Sequence, residues 1–205
     1  MVNLIYMKKI LFSFILFSIS INYSQEKEDL FNLISEEQNQ IELLPERMVF
    51  TQSLLWGKNG LFRKTGISDL NLENREKELR IRKNMLNAHQ VIGYITLASM
   101  VAQGIIGGKL YNGDESLRNT HKTMGNIVNI GYFTGAGLSL FAPPPLINKK
   151  VQGFNSIKAH KILATIHFSA MVATNHFKDR NKDTHKAAAY TAFASYATAV
   201  LVIKF

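Results

Sequence analysis

The sequence predicts an all-α membrane protein: a four-helix up-down-up-down transmembrane bundle from a duplicated helical hairpin, preceded by an N-terminal helical extramembrane segment. Three observations carry this prediction. The second half holds four largely apolar runs, each of roughly 20 residues, a bilayer's worth of helix. Each run opens on a histidine, in Ala88-His89-Gln90, Thr120-His121-Lys122, Ala159-His160-Lys161 and Thr184-His185-Lys186. The runs also match in alternation without gaps. The first aligns with the third through Ala88/Ala159, His89/His160, Ile95/Ile166, Met100/Met171, Val101/Val172 and Ala102/Ala173. The second aligns with the fourth through Thr120/Thr184, His121/His185, Lys122/Lys186, Tyr132/Tyr196, Thr134/Thr198 and Phe141/Phe205.

A chain of 205 residues suits one domain with a small appendage. The formal charge of +9 does not form a nucleic-acid stripe; Lys and Arg sit at the edges of the apolar runs, where they anchor helix ends at a membrane surface. Cysteine is absent. That excludes Fe–S clusters, thiolate metal sites, disulfides and covalent haem attachment.

In chain order, Lys8-Lys9 followed by Ile10 to Ile21 has the charge and length of a signal peptide, 1–24, with cleavage expected after Ser24. An uncleaved anchor is the alternative, and Met7 is the more natural start. Either way, residues 25–85 are expected outside the inner membrane. Within them, Leu30, Leu33, Ile34, Ile41 and Leu44 share one helical face, and Pro45 ends the run. Residues 46–62 carry apolar side chains among Arg and Lys, broken by Gly57 and Gly60. They fit either a helix at the headgroup boundary anchored by Trp56 or a helix packed on the extramembrane side of the bundle.

Ser68 or Asp69 can cap a helix from about Leu70. The pairs Glu73/Lys77, Glu76/Arg80 and Glu78/Arg82 have favourable i,i+4 order. They predict one continuous helix into the first span, with a charged face that is solvated or receives an acidic redox partner. The bundle is expected over 86–205, with spans at about 87–108, 121–141, 158–177 and 185–204. Asn112-Gly113-Asp114 turns the first connection, Ala142-Pro143-Pro144-Pro145 stops the second helix, and Lys178 to Thr184 is a short charged link. The cations do not follow the positive-inside bias in this orientation, so the signal peptide sets it.

In such a bundle the first and third helices run in one direction and lie diagonally. With neighbours about 9–10 Å apart the diagonal is about 13–14 Å, room for two imidazoles to reach a flat ligand. His89 with His160, and His121 with His185, thus form two pairs, one in each leaflet. Ionisable groups within spans are functional candidates, and neutral imidazole is a good iron ligand. Lys122, Lys161 and Lys186 could pair with haem propionates or act as snorkelling anchors. His167 lies on nearly the face of His160, about 10 Å deeper, and His176 about 24 Å along the same helix. His167 packs between two haems or hydrogen-bonds within the bundle, His176 is a rival ligand or an interfacial residue, and both are alternatives to the four histidines as metal ligands. The glycines of the first two spans allow close helix approach and also leave room for a porphyrin.

Four consecutive spans, each with a histidine near its start, resemble the core of the cytochrome b561 and ferric-reductase-like membrane proteins. The resemblance covers about residues 85–205 and rests on His89, His121, His160 and His185. It implies two non-covalent b haems with these histidines as axial ligands, and electron transfer across the bilayer from a quinol or related donor. Donor and acceptor are not identified by it; a periplasmic redox partner is one candidate, and a second copy of the chain is another partner. The expected location is a bacterial inner membrane, in contact with lipid and without nucleic acid. Two other classes stay open. One is a metal transporter or chaperone using the histidines with Met85, Met100, Met124 and Met171, against which the spans offer few acidic residues. The other is a structural subunit whose histidines bond only between helices.

Overall fold

The computed structural model describes residues 43–146 and 155–203. The expected signal peptide, the amphipathic stretch from Leu30 to Ile41 and Lys149-Lys150 lie outside the described residues. Among the described residues the structure is helical, without strands. The elements are α1 (Phe50–Trp56), α2 (Leu61–Lys64), α3 (Leu72–Tyr111), α4 (Arg118–Leu140), α5 (Ser156–Phe177) and α6 (Lys182–Val202), with a 3-10 turn over Glu115–Leu117.

α3 is the continuous helix expected from the charge spacing. Its cap is Asn71, whose side chain accepts from the Asn74 amide; Ser68 is used elsewhere. The helix ends where Gly113 takes a left-handed φ of 105°, which a side chain would strain. α4 then starts at Arg118, slightly before the expected boundary. Asn155 and Asn181 cap α5 and α6 in the same way as Asn71 caps α3. Among the described residues, α3 is the helix long and apolar enough to cross a membrane. α4 is diluted by Asn126, Asn129 and its glycines, and α5 and α6 by lysines, threonines and alanines.

The four long helices pack antiparallel to their neighbours. α3 lies along α4, and α5 along α6. α6 closes onto α3 through the Tyr196 hydroxyl, which donates to the Gly93 carbonyl at 3.2 Å, and through Tyr111 and Asp183. α4 meets α5 through reciprocal amide bonds between Asn129 and Asn175 at 2.8 Å, and through Tyr132/His167 and Phe133/Phe168. α3 and α5 therefore occupy one diagonal, α4 and α6 the other. The interior is small and mixed: Met100, Val128, Tyr132 and Met171 form its apolar cluster, with Thr96, Ser195, Ala192 and Ala199 buried beside them. The large aliphatic side chains face out instead, with Ile130 70% and Ile95 61% exposed.

At one end sits a compact cap. Trp56 is buried, donates to the Phe141 carbonyl at 3.0 Å and packs edge-on against Phe62. The segment packs on the helices, and Trp56 holds it there. The charge pattern differs from expectation at one place. Glu73–Lys77 and Glu76–Arg80 pair on the exposed face, but Glu78 does not pair with Arg82. It is buried between Arg63 and Arg75 and also accepts from Ser68 at 2.6 Å. A buried carboxylate needs neutralisation on the inner side, and these guanidiniums are the cations that face it. Arg75 goes on to donate to the carbonyls of Leu43 and Pro144, and Arg82 to that of Pro143. The proline segment that ends α4 is thus buried and serves as an acceptor for arginines of α3.

Candidate functional site

The histidines that open the four apolar runs, His89 midway along α3 and the others near the starts of α4, α5 and α6, are held by an almost regular set of hydrogen bonds. His89 Nδ1 lies 2.9 Å from the Gly135 carbonyl, His160 Nδ1 3.0 Å from that of Ala199, and His185 Nδ1 2.8 Å from that of Thr174. A carbonyl only accepts, so each Nδ1 carries a proton, and Nε2 is the nitrogen not engaged by that bond. Each anchor comes from the antiparallel partner within the hairpin, α4 for His89, α6 for His160 and α5 for His185. The anchors obey the repeat as well. The register that matches Thr120 with Thr184 also matches Gly135 with Ala199, so the bonds of His89 and His160 are copies of each other.

His121 breaks the rule. Its repeat-related anchor position is Gln103, the counterpart of Thr174, and the Gln103 side chain itself reaches the ring. The Gln103 amide nitrogen stands 3.3 Å from His121 Nε2 and donates to the His121 carbonyl at 3.1 Å. His121 Nδ1 is buried without a hydrogen-bond partner, as is Gln103 Oε1. Across the α4–α6 diagonal the rings of His121 and His185 are 6.2 Å apart, centroid to centroid, with planes at 81°. The structure thus brings together the pair His121/His185. His89 and His160 lie on the α3–α5 diagonal at the opposite end, each half-buried and anchored.

Between these two levels is a cluster that sequence spacing only partly revealed. His167 shares a 2.6 Å hydrogen bond with the Tyr132 hydroxyl, and its ring lies 5.0 Å from that of Tyr196. Tyr132 and Tyr196, repeat counterparts, are 5.7 Å apart on the axis between the hairpins. His167 is thus hydrogen-bonded within the bundle, at a level between the two histidine pairs. His176 is exposed and bonded through Nε2 to Arg180 at 3.0 Å. Lys122 and Lys161 are exposed; Lys186 sits 3.6 Å over the Tyr111 ring. Met100 and Met171 belong to the apolar cluster with Val128 and Tyr132.

Among the described residues no three His, Asp or Glu side chains converge as a metal-ion site. The chain matches no protein-family model, no curated protein and no solved structure.

Proposed function

We propose that the chain is a membrane b-type cytochrome, a four-helix transmembrane bundle holding two non-covalent haems between His89 and His160 and between His121 and His185. The observation that carries this reading is the set of Nδ1-to-carbonyl bonds. Such a bond fixes the tautomer and ring orientation and raises the basicity of Nε2, as is usual for a metal-ligating histidine. Three of the four histidines carry it, in repeat-related positions. Hydrogen bonding between helices alone would not require Nε2 to be the nitrogen left open each time.

The spacing of the second pair fits the group. Two imidazoles sharing one metal through bonds of about 2 Å would stand roughly 6 Å apart by ring centre, close to the observed 6.2 Å, with His121 Nε2 here facing the Gln103 amide. Bound there, haem would supply reversible one-electron iron chemistry. The protein's own residues hold and orient. His89 with His160, and His121 with His185, would each hold one such group through ring nitrogens. Tyr132, Tyr196 and His167 pack together in the interior between the pairs. Two redox sites at opposite ends of a membrane-spanning fold are what transfer across a bilayer needs.

The outward aliphatic surface supports the membrane part of the reading. Ile95, Ile105, Ile130, Ile162 and Val172 are exposed while Thr96, Ser195 and Arg75 are buried. That pattern suits lipid, where apolar side chains face the solvent and polar ones the helix contacts. We place residues 43–71 at the outer end, with the cap over the His89/His160 level.

The experiment is the visible spectrum of the detergent-purified protein reduced with dithionite. A b-type α-band is expected in the wild type. In His121→Ala it should fall to about half, the other pair being untouched. Protein that folds under haem-replete expression and shows no α-band would overturn the assignment.

A further inference from the structure

Resting on the haem reading, one feature separates the two histidine pairs. The contact between Gln103 and His121 occupies a slot formed by two glycines. A β-carbon at Gly125 would stand 3.2 Å from the Gln103 amide nitrogen, and one at Gly107 would stand 2.8 Å from His121 Cε1 and 3.2 Å from its Nδ1. Gly107 is one turn beyond Gln103 on α3, and Gly125 one turn beyond His121 on α4. Each helix therefore gives up a side chain so that the other's polar residue can lie against its backbone. The second hairpin has none of this. In the matching register Gln103 becomes Thr174, Gly107 becomes Lys178 and Gly125 becomes Ala189. Thr174 is too short to reach the ring, and His185 Nδ1 bonds to its carbonyl directly.

The chemical consequence follows from which nitrogen is held. At His89, His160 and His185 the protein holds Nδ1 and leaves Nε2 open. At His121 the amide N–H of Gln103 points at Nε2, the nitrogen an axial bond would use, and Nδ1 is left buried and unpartnered. An N–H donor and a metal cannot share one lone pair. We propose that Gln103 is a removable cap on His121, so that the His121/His185 pair takes haem only after Gln103 swings away, and fills second. Gln103 is a positioning residue acting through His121. Loss of a comparable partner of a ligating histidine changes metal affinity by about 10–100-fold. The capped pair should accordingly bind at least about tenfold more weakly than His89/His160.

The test titrates hemin into the purified full-length apoprotein in detergent and follows the Soret band, in the wild type, in Gln103→Met and in His121→Ala. Methionine keeps the bulk and removes the donor. Two steps are expected in the wild type. The weaker step should be absent from His121→Ala and shifted toward the stronger one in Gln103→Met. A second arm needs no haem: in ¹⁵N-histidine-labelled apoprotein, Gln103→Met should move the Nε2 resonance of His121 and leave those of His89, His160 and His185 in place. Hemin binding in two equal steps, or a weaker step indifferent to Gln103→Met, overturns the cap and spares the haem reading. No hemin binding overturns the haem reading and the filling order together, and an unmoved His121 resonance overturns the contact itself.

Discussion

A single methyl group at position 107 distinguishes a designed contact from an accidental one. In Gly107→Ala the new carbon would meet the His121 ring at 2.8 Å, which forces the ring or the helix to move. Gly135→Ala would put its carbon 3.8 Å from His89 Nδ1 and 3.6 Å from Ile92, ordinary contact distances. Alanine gains about 1 kcal/mol over glycine in a helix, and overpacking costs about 1–3 kcal/mol. Gly135→Ala should therefore be neutral or slightly stabilising. Gly107→Ala should be destabilising or should lose haem from the His121/His185 pair. Thermal unfolding of both variants, read alongside their α-band amplitudes, checks this; equal behaviour of the two would contradict it. The closeness of His121 and His185 was legible in the sequence because the repeat places them at matched positions near the starts of α4 and α6. The anchors were not, since a backbone carbonyl leaves no mark on sequence. The role of Gln103 had one available signal, its mismatch with Thr174 in an otherwise matched register.

The cap is held to α3 by charge. Burial by itself would raise the Glu78 pKa, but hydrogen bonds from Arg63, Ser68 and Arg75, with the charge of Arg75, hold it below its ordinary value of 4.5. A carboxyl depressed in the folded state adds stability that is fully present above its unfolded pKa and is lost as pH falls through the folded one. Residues 43–71 should resist protease at neutral pH and become cleavable as pH falls below about 4.5, with the long helices still folded. Acid-stable protease would show this at graded pH; unchanged resistance would count against the ion pairs. Glu78→Ala leaves two guanidiniums facing a gap, a loss of about 3–5 kcal/mol for a buried pair, visible at neutral pH as early cleavage of the same segment. Sequence spacing gave the exposed pairs correctly, because i,i+4 neighbours on a helix need nothing else. It assigned Glu78 to Arg82 for the same reason, and the tertiary partner Arg63, remote in sequence, overrode that local preference. Trp56 likewise reads as an interfacial anchor until the Phe141 carbonyl supplies its acceptor.

For the whole molecule, the outward aliphatic surface and the one helix among the described residues long and apolar enough to cross a membrane, α3, are what support the proposed membrane location. An arginine at Ile130, 70% exposed, would then face hydrocarbon, at about 2.5–3.5 kcal/mol near the centre of a span. Ile130→Arg should reduce the fraction of protein that stays in membranes through alkaline carbonate extraction, whereas wild type should stay. Wild-type protein released by carbonate would contradict the membrane assignment. Up-down-up-down order was expected from short connections and alternate matching, and the antiparallel contacts of the long helices agree with it. The central claim is that these helices hold iron between two histidine pairs. It is tested most directly by the pyridine haemochrome of protein purified from haem-replete cells, quantified against protein concentration. About two b haems per chain are expected, falling to about one in both His160→Ala and His121→Ala. Folded wild-type protein with no haem would contradict the account.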